Sequence, residues 1–447
     1  MNSAANPYGL TMHEQRDALY AELHSRPFHV IQSPARISYL AVMVDVARKQ
    51  ADFEHFCELY RYFDKTPPSQ DSVCLEADFG DLRVRRETHL EFVSYTVVNQ
   101  GQPFLDDPFA NTGLSRLPKD WLQTLGGTVV SAFHVAIEDA ANQPEPELAQ
   151  VKSYFEGMRL VGSQPQNGDA QVWTTFKIHS DGCGRMLIYN RGMSNSQLGR
   201  IVQRLIEVES YRLLALLGLP LARFYNQHLA QMDQQLVDLT QQLSASSGEL
   251  DEQAVLEKII DMAAWVESAR AATTFRFSAT VAYHDLVLKR LNELKEDEVS
   301  GHLTITEFMT RRLTPAVRTS KATGEHLENL SRRIDRVSDM MRTRVDMTIQ
   351  SQNQHLLASM DRRSKIQLAM QHTVEGLSVA AISYYSIGLI KYLIEAAYEK
   401  GVPIDKSLAV GLAVPLVIGS VWWATRRIHK RFLKLAKEQM DIGEGEH

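Results

Sequence analysis

Residues 374–394 read VEGLSVAAISYYSIGLIKYLI, and whether they form a core helix or a membrane span decides how the rest of the chain is understood. From Gly376 to Ile390 there is no charge, and Glu375 and Lys391 border the run. A bilayer-crossing helix needs about 20 apolar residues, so this run alone also suits a protein core. The next apolar segment, SLAVGLAVPLVIGSVWWAT at 407–425, tips the balance. It is uncharged throughout, ends in Trp422 and Trp423, and is followed by RRIHKRFLKLAK. Interfacial Trp followed by a basic cluster is how spanning helices commonly end. Arg362, Arg363 and Lys365 precede the first segment, and Arg426, Arg427, Lys430 and Arg431 follow the second. The positive-inside rule then places both flanks in the cytoplasm and the linker EAAYEKGVPIDK outside. The sequence thus predicts a transmembrane hairpin: helix 1 at 373–394, an outer loop at 395–406, helix 2 at 407–425 and a basic cytosolic tail at 426–447. Lys391 snorkels toward the far interface. The alternative is a buried helical hairpin in a soluble protein.

Polar groups inside a span need partners. Thr373, Gly376, Ala380, Ser383 and Ile387 recur at three- and four-residue steps and form one small, partly polar stripe. Such a stripe suits close helix packing or the wall of a pore in an oligomer. Gly411, Pro415 and Gly419 share a face of the second span, which is expected to pack on the first.

Upstream, the chain is a cytosolic protein in pattern. Its 447 residues carry a net charge of −6, with no apolar N-terminal run to act as a secretory signal. Cys57, Cys74 and Cys183 are odd in number and widely spaced, which fits a reducing compartment. Charge is uneven. Residues 1–310 hold 27 Lys and Arg against 40 Asp and Glu, whereas 311–365 hold 12 against 6. The acidic front argues against nucleic acid as a partner. It also suits the focusing of cations toward a pore entrance, or plain solubility. The basic stretch suits attraction to anionic lipid, or a solvated helix face.

Residues 1–34 read as a short helix and a loop broken by Pro27 and Pro34. Residues 35–192 read as an α/β domain. ARISYLAVMVD, SVCLEADFG, LRVRRE, THLEFVSYTVV, GGTVVSAFHVAIED, QVWTTFKIHS and GRMLIYNRG are strands, paired antiparallel, with a helix at 47–63. Residues 193–300 read as a helical domain, with a first helix kinked or interrupted by Pro220 and a second from about 251 to 295. Residues 301–372 form a long stalk helix. Its positions Leu327, Leu330, Ile334, Val337, Met341 and Val345 keep the spacing of a seam against another helix.

Candidate chemistry is sparse. ELHSRPFHV sets His24, Arg26 and His29 in one loop, where Arg and His suit a phosphate or carboxylate ligand. A plain loop, with Arg26 paired to an acid on the sheet and Phe28 and Val30 as anchors, is the alternative. His179, Asp181 and Cys183 alternate like metal ligands, but Gly182 and Gly184 equally make a hairpin turn. His89 and His134 read as core or face residues. No Walker loop, dinucleotide glycine fingerprint or HExxH is present. The sequence identifies no catalytic residue, metal ligand or cofactor.

The layout resembles that of CorA-type magnesium channels, funnel-shaped pentamers whose first span lines the pore. The Gly-Met-Asn motif that this family carries at the outer end of that span is replaced here by SIGLIKYLIEAAYEKG. ELHSRPFHVIQSPARISYLAV (22–42), ESYRLLALLGLPLAR (209–223) and TVEGLSVAAISYYSIGLIKYL (373–393) resemble an uncharacterised bacterial family of membrane-anchored proteins, domain of unknown function 3422. The resemblance implies a bacterial inner-membrane protein and no particular activity.

The fold expected is an α+β cytosolic domain, then long helices, then the two-helix hairpin, in a CorA-like layout. Lipid and further copies of the chain, a pentamer by that resemblance, are the expected partners. Both termini lie in the cytoplasm of a multi-pass protein. The function expected is a CorA-like ion channel or transporter for a monovalent or divalent cation. The alternative is a membrane-anchored ligand sensor or scaffold without transport.

Overall fold

The computed structural model describes residues 10, 12–22, 28–101, 106–141, 144–245, 252–399, 403 and 405–443. The chain divides into two compact units, Met1–Asp339 and Met340–His447.

The first unit contains, in chain order, α1 (Arg16–Glu22), β1 (Ala35–Met43), α2 (Lys49–Tyr62), β2 (Cys74–Asp78), β3 (Leu82–Thr88), β4 (Phe92–Gln100), α3 (Lys119–Gln123) and β5 (Thr128–Asp139). There follow α4 (Leu148–Tyr154), β6 (Val161–Pro165), β7 (Ala170–Thr174), β8 (Gly184–Asn190), α5 (Asn195–Leu216), α6 (Gly218–Ala245), α7 (Glu252–Leu294), β9 (Glu296–Glu298) and the first part of α8 (Ile305–Glu399). The strands form one nine-stranded mixed sheet in the order β2-β3-β4-β1-β5-β8-β7-β6-β9. All pairs are antiparallel except β5 with β8. That pair is parallel because α4, β6 and β7 intervene in sequence, and a parallel neighbour requires such a crossover.

The centre of the sheet is covered on both faces, which is why β1 reads as a near-continuous apolar run. Ile37, Tyr39 and Ala41 share a core with Leu198, Val202 and Leu205 of α5, Val287 and Leu291 of α7, and Met309 and Leu313 of α8. Leu40 and Val42 point the other way, onto Phe56 and Leu59 of α2 and Trp121 of α3. Further along that second face, Val151 and Tyr154 of α4 pack with Trp173 and Leu187. The architecture is therefore helix, sheet, helix.

Seven strands fall where the sequence predicts them. β6 and β9 are additional, and β7 is shorter than expected because Phe176 adopts φ +53°. Two buried charge clusters brace this unit, one between α2 and the sheet and one within the sheet. Arg86, fully buried, donates Nε to Asp52 Oδ2 (2.7 Å) and Nη1 to Asp71 Oδ1 (2.7 Å), while the Tyr95 hydroxyl donates to Asp52 Oδ1 (2.6 Å). Across β1 and β5, Arg36 donates to the Ile137 carbonyl (3.1 Å) and pairs with the Glu138 carboxylate.

α5 opens on a capping box, in which Ser194 and Gln197 each bond the other's backbone N–H. Of the two outcomes expected at Pro220, a kink or an interruption, the helix shows the interruption, placed at Leu217. Pro220 sits in the first turn of α6, where a missing N–H costs nothing. The break itself is fixed from α7, whose Thr280 hydroxyl donates to the Ala215 carbonyl (3.0 Å). A methyl on Gly218 would meet that hydroxyl oxygen at 2.4 Å, so the crossing requires glycine. Leu327, Leu330, Ile334 and Val337 of α8 are buried. Their helix is keyed to α6 through His326 and Arg333, which both reach Asp233, and to α7 through Arg270–Glu328 (2.8 Å).

The second unit consists of the remainder of α8 and α9 (Lys406–Gly443). Both helices contain a stretch long and apolar enough to cross a membrane, and only 6% of each stretch is buried. Among the described residues of these two stretches, Ser383 and Val417 are buried.

Candidate functional site

On the α5 side of the sheet a cavity of about 250 Å³ opens among β1, β3, β4, α5, α7 and the segment that leads into β1. Register builds its floor. Arg85 of β3 stands opposite Thr96 of β4, which stands opposite Tyr39 of β1. One row across three strands thus presents a guanidinium, a hydroxyl and a phenol. Two residues along β3, on the same face, comes Glu87. The roof is one face of α5, where Val202, Gln203, Ile206, Glu207 and Ser210 recur at helical spacing. Arg290 of α7 closes one side.

The segment before β1 supplies the remaining wall. Ile31 is buried, and its N–H donates to the Asn195 carbonyl (3.3 Å). Phe28 and Val30 stay exposed, so Ile31 is the anchor in place of the two residues expected from the sequence. His29 enters the cavity, and its Nε2 is buried without a hydrogen-bond partner. Burial, assisted by the nearby Arg85 charge, pushes its pKa down to about 4. The imidazole is therefore neutral at physiological pH and offers the cavity one uncommitted ring nitrogen.

The charges around it are matched. Arg85 donates Nη2 to Glu76 Oε2 (2.8 Å), and Arg290 pairs with Glu207 and with Glu293 (3.0 Å). Burial holds the proton on the Tyr39 phenol, with Ser210 and Ser94 acting in the opposite direction. Ser210 itself donates to the Ile206 carbonyl (2.7 Å), so it is not poised as a nucleophile. The chemistry on offer is recognition by polar groups of both signs.

Of the loop residues singled out from sequence, His29 is in this cavity, while His24 and Arg26 lie outside the described residues. The other polar groups come from three strands and two helices far apart in sequence. The one local hint is the alternation of charge in LRVRRET. His179, Asp181 and Cys183 form a tight turn. The His179 N–H donates to the Cys183 carbonyl (2.9 Å), the Gly182 N–H to the His179 carbonyl (2.9 Å), and the Cys183 N–H to Asp181 Oδ1 (3.0 Å). Among the described residues no group of three or more His, Cys, Asp or Glu is arranged to hold a metal ion.

In the second unit the small stripe is divided. Thr373, Gly376 and Ala380 are exposed, Ile387 is half-buried and Ser383 is buried. Thr373 satisfies its hydroxyl on the Ala369 carbonyl (2.9 Å), whereas the Ser383 hydroxyl has no partner.

Comparison with curated proteins and with solved structures returns no match. A family model described as protein of unknown function (DUF3422) matches residues 11–432. The chain belongs to that family.

Proposed function

We propose that the protein is anchored by its C-terminal helix pair in a bacterial inner membrane and binds a small polar ligand in the cavity of its cytosolic α/β unit. Membrane anchoring is supported by two apolar helical stretches whose side chains find almost no cover within the chain. The basic clusters flanking them favour a cytoplasmic side for both termini by the positive-inside rule. The observation that carries the ligand-binding half is His29: a neutral imidazole with an unsatisfied, buried nitrogen, facing a cavity walled by paired Arg and Glu. A buried polar atom without a partner costs free energy, and a ligand that bonds to it recovers that cost. Walls of both signs favour a zwitterion or a dicarboxylate over an apolar molecule.

The test is thermal unfolding of the full-length protein in detergent against amino acids and dicarboxylates at millimolar concentration. A ligand of the folded state raises the midpoint by mass action. The expected result is a shift that His29→Phe abolishes. No shift with any of them, or a shift that survives His29→Phe, removes the reading.

A second reading is a homo-oligomeric, CorA-like channel for a monovalent or divalent cation without the Gly-Met-Asn motif. It is favoured by the exposed Thr373, Gly376 and Ala380 face, which is small and polar enough to line a path between copies. Ion flux into liposomes that Ala380→Trp blocks supports it, and absent flux excludes it.

A further inference from the structure

A second concavity, of about 500 Å³, lies where β6, the loop after β7, α5 and the start of α8 meet. Its charged lining is of one sign: Arg159, Lys177, Arg212 and Arg312, with no carboxylate among them. Arg159, Lys177 and Arg212 fall within residues 1–310, which hold 27 basic against 40 acidic residues, while Arg312 belongs to the basic stretch that follows, so three of the four run against the charge of their region. Arg212 is anchored by Glu209 (Nε to Oε2, 2.6 Å). Arg159, Lys177 and Arg312 make no ion pair among the described residues. Like charges this close repel, and an anion between them converts the repulsion into charge-assisted hydrogen bonds.

The base of the concavity is aromatic. Phe176 and Phe308 stack with centroids 4.8 Å apart and planes at 21°, and the Arg212 guanidinium lies 5.2 Å from the Phe176 centroid. Phe176 holds φ +53°, a left-handed conformation that is a genuine outlier for a bulky side chain. Such strain persists only where the surroundings over-determine it, and it concentrates at ligand sites. The loop is tied down accordingly: the Lys177 N–H donates to Thr175 Oγ1 (3.3 Å), which also bonds His179 Nε2 (3.1 Å). The adjacent N-terminus of α8 is not the anion site, because the Glu296 carboxylate already accepts from the Ile305 N–H (3.2 Å) and the Thr306 N–H (2.6 Å).

We propose that this concavity binds a phosphorylated small molecule with a flat ring, a nucleoside phosphate in class, with its phosphates on Lys177, Arg159 and Arg312 and its ring against the Phe176–Phe308 base. The site is separate from the His29 cavity and does not depend on that cavity being occupied. Arginine is suited to both parts, since its planar guanidinium forks onto phosphate and stacks on rings. The volume falls within the range of small-molecule sites.

The experiment is calorimetric titration of the full-length protein in detergent with ADP, pyrophosphate, adenosine and a water-soluble short-chain phosphatidate. ADP is expected to bind, more weakly as salt is added, and pyrophosphate to bind less tightly than ADP. Lys177→Ala and Arg312→Ala, both at exposed positions, are each expected to weaken ADP about tenfold, the equivalent of one charge-assisted hydrogen bond. Lys119→Ala, a cation on another face, is expected to change nothing. Phe308→Leu keeps an apolar side chain but removes the ring, and is expected to weaken ADP while sparing pyrophosphate. No binding of ADP, or binding indifferent to Lys177→Ala and Arg312→Ala, overturns the proposal. Pyrophosphate binding as tightly as ADP overturns its aromatic half, and phosphatidate binding more tightly than ADP assigns the site to a lipid headgroup instead.

Discussion

A Cβ placed on Gly199 would lie 1.7 Å from the carbonyl oxygen of His29. The segment that carries His29 therefore rests directly on the backbone of α5, and the cavity wall exists because residue 199 has no side chain. Gly199→Ala is expected to lift that segment, with an overpacking cost of about 1–3 kcal/mol. Thermal unfolding of the variant should show the loss, and any ligand of the cavity should weaken together with it. An unchanged midpoint would mean that the segment does not seat there.

The Arg86 cluster makes a sharper claim. Asp52 is the buried counter-ion of Arg86 and also the acceptor for Tyr95. Asp52→Ala strips the buried Arg86 of one of its two carboxylate partners, leaving only the part-exposed Asp71, and is expected to cost up to about 3–5 kcal/mol, whereas combining it with Arg86→Met is expected to recover part of that loss. Denaturant titration of the three variants tests the coupling. Additive losses would contradict it.

His134 gives the α/β unit an acid-sensitive stability. It is buried, 2.8 Å from Ser38 Oγ, and burial pushes its pKa down from 6.5 to about 4. Between those two values the unfolded chain takes up a proton that the folded chain does not. Stability is therefore full above pH 6.5, falls as the pH drops toward 4, and levels off below. For this one group the shift is worth about 3 kcal/mol. His134→Gln is expected to flatten that part of the stability–pH curve, and a slope identical to that of the parent would contradict the assignment.

Pro315 lies inside α8 at an exposed position. Its ring removes the N–H that would bond the Arg311 carbonyl. Pro315→Ala restores that bond and is expected to raise stability by about 1–3 kcal/mol, read as a higher unfolding midpoint. A lower midpoint would mean that neighbouring helices are fitted to the proline.

How much of this was legible beforehand follows from what periodicity encodes. β1 to β5, β7 and β8 announce themselves by apolar runs between turn residues, and α7 by its spacing between SASSGELDE and the β9 region. β9 is three acidic residues, Glu-Asp-Glu, held by pairing with β6, and β6 itself ends in Pro165. Neither has an intrinsic signal. The position of the break between α5 and α6 is set by Thr280 and Ser320 of distant helices approaching Gly218, which no local pattern records. His29 stood out as a polar residue in a Pro-containing loop. Arg85, Glu87 and Arg290 did not, because strand register and helix packing bring them to it. The basic concavity was equally hidden, since Arg159 and Lys177 lie in an acidic region and Arg312 far along the chain in another helix.

The claim on which anchoring and the channel reading rest is that 373–394 and 407–425 enter the bilayer. Alkaline carbonate extraction of membranes carrying the full-length chain tests it most directly. The account predicts that the protein stays in the membrane pellet and is released only by detergent. Recovery of a monodisperse chain in the aqueous supernatant, without any amphiphile, would contradict it.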